Sequence, residues 1–172
     1  MRATGDYAAS EGATMIRVRQ ATPSDAKILS HILIASIRQL CIEDHKNDAD
    51  LIDRWIANKS PDNIKKMIAN PNTVFLVAEL SGKPAGVGCY SNDGEVLLNY
   101  ISPDYRFKGV SRAILDYIIS ALTDLGLRKA TLTSTTTAHK FYSDAGWKDA
   151  GEPELHFGLP GYPMERELGN KV

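Results

Sequence analysis

The chain has 172 residues, 43% of them hydrophobic and 24% charged, with a formal net charge of -1. That length and apolar content suit one domain around one core, and the charge balance offers no basic excess for nucleic acid or for an anionic membrane surface. Two distant cysteines, Cys41 and Cys89, form neither a zinc spacing nor a disulfide framework, and no apolar run reaches the roughly 20 residues that span a bilayer.

Residues 1–14 are small and polar and lack the apolar stretch of a secretory signal. They are expected to form a disordered extension ahead of a domain over residues 15–172, with Met15 an alternative start and the cytoplasm the expected location. Residues 15–20 alternate apolar and basic side chains, as a half-exposed strand does. Thr22 and Pro23 then supply a cap and a first-turn proline. Ile28, Leu29, Ile32, Leu33, Ser36, Ile37 and Leu40 recur at helical spacing, which predicts a helix ending near Glu43. Two shorter helices are expected over residues 48–58 and 60–70, the second opened by Ser60-Pro61.

The period changes after Pro71. Residues 73–80, 85–91 and 95–102 are apolar or β-branched runs separated by Ser81-Gly82 and Asp93-Gly94, which predicts an antiparallel meander. A loop through Gly109 leads into a helix whose stripe is Ala113, Ile114, Leu115, Ile118, Ile119, Leu122 and Leu125, closed by Gly126. Residues 129–134 follow as a strand parallel to the third meander strand, and residues 137–145 as a short helix. Strands are expected at 147–150 and 163–168, with residues 158–162 a loop between them that either covers a pocket or simply connects a hairpin. The order describes an α/β domain with a mixed, mostly antiparallel sheet flanked by helices.

Arg106, Phe107, Lys108 and Gly109 run directly into a helix start at Val110, Ser111 and Arg112. A helix N-terminus carries unpaired amides and partial positive charge, and three cations stand nearby, so this turn suits a diphosphate. An ordinary capped helix with solvated basic residues satisfies the same spacing. Other phosphate motifs fail: Gly86 and Gly88 lie inside a strand, and Gly82-Lys83 is followed by Pro84. His31, His45, His139 and His156 are scattered and suggest no metal, although His45 could line a pocket.

The segment ISPDYRFKGVSRAIL over residues 101–115 resembles the pyrophosphate motif of the GNAT N-acetyltransferases, Q/R-x-x-G-x-G/A. Arg106 and Gly109 fill the first two slots, and Ser111 replaces the second small residue. Phe107 stands where glycine or arginine is usual, which implies a stiffer loop. AHKFYSDAGW, residues 138–147, is similar to the family's A-x-x-F-Y-x-x-x-G-F, with Thr135 where many members carry Asn.

The resemblance implies acetyl-CoA as co-substrate, without a metal, lying between splayed strands. Its contacts would be Tyr100, Ile101, Ser102, Arg106, Phe107, Lys108, Gly109, Val110, Ser111, Arg112, Thr135 and Lys140. The Ile101 amide would polarise the thioester. Tyr142 would be the general acid. Glu95 would be the base, or only an exposed residue at a strand entry. Asn99, expected on the same strand face as Glu95 and Leu97, would bind substrate or satisfy backbone. The implied reaction is acetyl transfer to a small-molecule or peptide amine in a ternary complex. The alternative is a non-catalytic acetyl-CoA sensor of a protein partner. Pairing of two copies through their sheets is a further expectation.

Overall fold

The computed structural model describes residues 7–11 and 14–169. Three strands precede and follow the first helices: β1 (Tyr7–Glu11), β2 (Thr14–Gln20) and, after α1 (Ala26–Leu40), α2 (Ile42–His45), α3 (Ala49–Ile56) and α4 (Pro61–Ile68), β3 (Thr73–Leu80). β4 (Lys83–Ser91) and β5 (Glu95–Ile101) complete the meander. α5 (Val110–Asp124), β6 (Lys129–Ser134), α6 (Thr136–Asp144), β7 (Lys148–Asp149), β8 (Glu154–His156) and β9 (Leu159–Glu167) follow. The strands run β1-β2-β3-β4-β5-β6-β9-β7, with β8 paired to β9. Among the described residues only β5 and β6 pair in parallel. Among the described residues no helix is long and apolar enough to cross a membrane.

Three expectations change. Residues 7–11 of the supposed extension pair antiparallel with β2, while residues 1–6 and 12–13 lie outside the described residues. The first helix stops at Leu40, and Ile42–His45 forms a separate turn, α2. The loop at 158–162 is largely strand: Phe157 and Gly158 alone turn the β8–β9 hairpin, and both have positive φ, the pattern of a two-residue connection.

β3 and β4 are buried on both faces, which is why they read as continuous apolar runs rather than alternating ones. One face packs Leu76, Ala78, Ala85 and Tyr90 against the α5 stripe Val110, Ile114, Leu115, Ile118 and Leu122. The other packs Phe75, Val77, Val87 and Cys89 against Leu29, Ile32, Leu33 and Ile64. Gly86 and Gly88 let α5 sit close on the sheet. A Cβ at Gly86 would come within 2.7 Å of Val110 Cγ1, and one at Gly88 within 2.6 Å of Ile114 Cγ2. The start of α5 is therefore clamped beside the end of β5.

Candidate active site

β5 and β6 pair only at Glu95 with Thr131 and at Val96 with Leu132, and no further. A bulge sets this divergence. Cys89 faces Leu98 and Tyr90 faces Val96, so Leu97 is an extra residue without a partner. A bulge bends its strand and shifts the alternation of faces by one. Val96 accordingly packs on the α5 side and Leu98 on the α1 side. Asn99, whose Nδ2 donates to Ser111 O in α5 at 3.3 Å, falls on the face of Val96. The expected sharing of a face by Asn99, Glu95 and Leu97 is thereby corrected.

The gap is a cavity of about 350 Å³ between residues 96–101 on β5 and residues 132–134 on β6 with Thr135 just beyond it. Ser102 N donates to Ala85 O at 2.7 Å, which sets the phase of the β4–β5 ladder. By alternation the Asn99 and Ile101 amides turn away from β4 and into the gap. At one end of the cavity Gly109 takes φ 83 as N-cap of α5, a left-handed conformation that costs other residues about 1–2 kcal/mol. Ala113 N is bonded to Gly109 O, and the amides of Val110, Ser111 and Arg112 have no carbonyl one turn back. Arg106, Lys108 and Arg112 line the same end. Donors, dipole and cations converge there, so these residues fit a diphosphate.

Tyr142 closes the other end, 7% exposed. Its position follows from the end of α6. Gly146 N bonds to Ser143 O at 3.2 Å and Trp147 N to Tyr142 O at 3.0 Å, a closing motif that folds the chain back. The Trp147 ring thereby meets the Tyr142 ring edge-on, with centroids 5.9 Å apart. This geometry explains the spacing of Tyr142, Gly146 and Trp147.

The sequence matches the family model of the acetyltransferase (GNAT) domain over residues 29–168. The chain belongs to the GNAT acetyltransferase family. Its fold is shared with the GCN5-related N-acetyltransferase of Rhodopseudomonas palustris (TM-score 0.78, 23% identity, 88% of this chain and 94% of that one). It is shared too with the PaiA N-acetyltransferase of Thermoplasma acidophilum, solved in complex with coenzyme A (0.73, 19%, 89% and 99%). YncA of Salmonella typhimurium, solved with its cofactor acetyl-CoA, is also similar (0.63, 16%, 91% and 96%). No curated protein matches the sequence at a significant level.

Within this GNAT domain most of the expected cofactor residues meet at the cavity: Tyr100, Ile101, Arg106, Phe107, Lys108, Gly109, Val110, Ser111, Arg112 and Thr135, together with Tyr142. Thr135 has a second task, since its Oγ1 accepts from Ala138 N and caps α6. Three expected residues stand apart from the lining. Ser102 is buried and its Oγ accepts from Asp104 N, capping a short turn. Lys140 is exposed and paired with Asp144 at 2.7 Å, one turn along α6. Glu95 is exposed at the start of β5, where β5 and β6 are still paired.

Burial governs the Tyr142 end of the cavity. Burial pushes the Tyr142 phenol up to about 12, while the Asn99 amide beside it pulls the other way. Asn99 Oδ1 is buried without a hydrogen-bond partner. Burial also raises Tyr100, with the neighbouring Cys41, Tyr142 and Asp44 adding to the rise and a hydrogen bond from Trp55 opposing it. Cys41 lines the cavity, but burial and then Asp44 hold its thiol up at about 12, so it is a neutral wall rather than a nucleophile.

Two buried residues of α2 tie distant parts of the chain together. Asp44, 6% exposed, accepts from Thr136 N at 2.7 Å and from Thr137 N at 3.2 Å, and also from Thr137 Oγ1. It thus ties α2 to the first turn of the helix that carries Tyr142. His45 is fully buried: Asn47 N donates to its Nδ1, which leaves Nε2–H to donate to Ile37 O. One ring nitrogen is thus spent on α1 and the other on the turn after α2, and the expectation that His45 could line a pocket is corrected, since it does not line the cavity.

Proposed function

We propose that this protein transfers the acetyl group of acetyl-CoA directly to an amine held in the same cleft. The observation that carries the reading is the Gly109 turn, which aims the first amides of α5 at the mouth of a gap that ends at Tyr142. The coenzyme A and acetyl-CoA complexes of PaiA and YncA support it.

In this reading the amides of Val110, Ser111 and Arg112, with Arg106 and Lys108, hold the diphosphate. Acetyl-CoA, when bound, supplies the activated thioester. The Asn99 and Ile101 amides pair with the pantetheine arm as an added strand would, and Ile101 N–H polarises the thioester carbonyl. Tyr142 faces the leaving sulfur. A phenol held near 12 is protonated at all working pH values. Burial raises a thiol in this cleft as it raises the phenol, as Cys41 shows, so the two stay close. Tyr142 therefore donates a hydrogen bond to the developing thiolate and, as general acid, its proton. Glu95, outside the lining, is read as a strand-entry residue.

Release of free thiol from acetyl-CoA, followed against a panel of alkyl, aryl and peptide amines, tests the reading. Thiol release dependent on an amine is the expected result. Tight acetyl-CoA binding without release for any amine would instead make the protein a coenzyme-responsive sensor.

A further inference from the structure

Phe107 is out of place by ordinary rules of burial. It is 87% exposed and holds φ 61, a left-handed conformation that side-chain-bearing residues rarely take. The Arg106 guanidinium lies over its ring, 4.7 Å from the centroid. Burial is not what holds the ring there, and a glycine would hold the turn with less strain.

We infer that the Phe107 ring is the stacking platform for the adenine base of the coenzyme. The inference rests on reading the cleft as an acyl-CoA site. Coenzyme A is linear: pantetheine, diphosphate, adenosine. With the diphosphate on the α5 amides and pantetheine running inward along residues 99–101, the adenosine end leaves the loop on its outer side. Phe107, which lines the cavity at that end, stands there with its ring open to solvent. Arg106 covers part of the ring and carries positive charge beside the phosphates. An exposed aromatic with a guanidinium partner offers any purine a π-face, and base–aromatic stacks are lost measurably on alanine substitution.

Calorimetric titration with coenzyme A and with 4′-phosphopantetheine, which lacks the adenosine with its 3′-phosphate and keeps one phosphate of the diphosphate, tests this. Phe107→Ala is expected to weaken coenzyme A binding about tenfold and to leave phosphopantetheine binding within about twofold. Alanine keeps a Cβ at the same strained φ, so backbone cost is common to both ligands. Phe107→Trp is expected to restore coenzyme A binding. Equal losses for both ligands, or unchanged coenzyme A affinity in Phe107→Ala, overturn the stacking role alone. A wild-type protein that binds neither ligand overturns the acyl-CoA reading and the stacking role together.

Discussion

The outer end of the cleft keeps Arg106, Phe107 and Lys108 in solvent around a glycine turn, while the inner end buries Tyr142 and a thiol among apolar neighbours. In the proposed function, backbone amides and full charges do the binding at the first. At the second, low polarity fixes protonation states, and contacts from distant parts of the chain fix geometry. With acetyl-CoA lying as proposed, binding chemistry and reaction chemistry are separated along one cavity, so substitutions at the two ends should separate affinity from turnover.

Tyr142→Phe gives the widest separation. Loss of one donor to a developing charge typically costs about 10²–10³ in kcat. Acetyl-CoA affinity should stay within about twofold. Steady-state kinetics beside calorimetry reads both, and weakened binding with intact turnover would break the division between the ends. Asp44→Ala asks whether the inner end depends on the tie between α2 and α6. It leaves the Thr136 and Thr137 amides without their partner, so unfolding free energy should fall by about 1–3 kcal/mol in urea titration. Turnover should fall with it, and coenzyme affinity should not. Gly109→Ala acts on the outer end. The strain of a non-glycine residue at that φ is about 1–2 kcal/mol, and coenzyme binding should weaken by about tenfold with little change in saturated kcat.

The buried groups also set a pH dependence. Cys41 and Cys89 keep their protons up to about 12 in the folded state because burial disfavours the thiolate. In the unfolded chain they release them near 8.5. The unfolded state thus binds fewer protons above that value, and stability declines as pH rises from about 9 towards 12. Thermal unfolding of the reduced protein across that range measures it, and Cys89→Ala should flatten part of the decline. The smallest effect is expected for Glu95→Gln, which lies outside the lining and should leave kcat/KM within about threefold. A large loss there would extend the reaction end beyond the cavity.

The same division governs what the sequence disclosed. The outer end is a local feature: Arg106 to Arg112 are contiguous, and a glycine before an amphipathic helix carries its meaning in a few residues. The Tyr142–Trp147 spacing is local too, being one helix closing. The inner end depends on partners far apart. Asp44 meets Thr136 and Thr137 across 92 and 93 residues, and nothing beside it in sequence marks that role. The Leu97 bulge was hidden because an extra apolar residue in EVLLNYI does not disturb an apolar run, yet it decides which side Asn99 faces. β8 escaped because its three residues are all exposed and show no alternation.

The central claim is that the first amides of α5 and the gap-facing amides of β5 receive one extended ligand. Amide NMR during an acetyl-CoA titration tests it directly. The account predicts that the resonances of Gly109, Val110, Ser111 and Arg112 shift together with those of Asn99 and Ile101, with one common dissociation constant. Shifts confined to residues outside this path, or none at saturating acetyl-CoA, would contradict it.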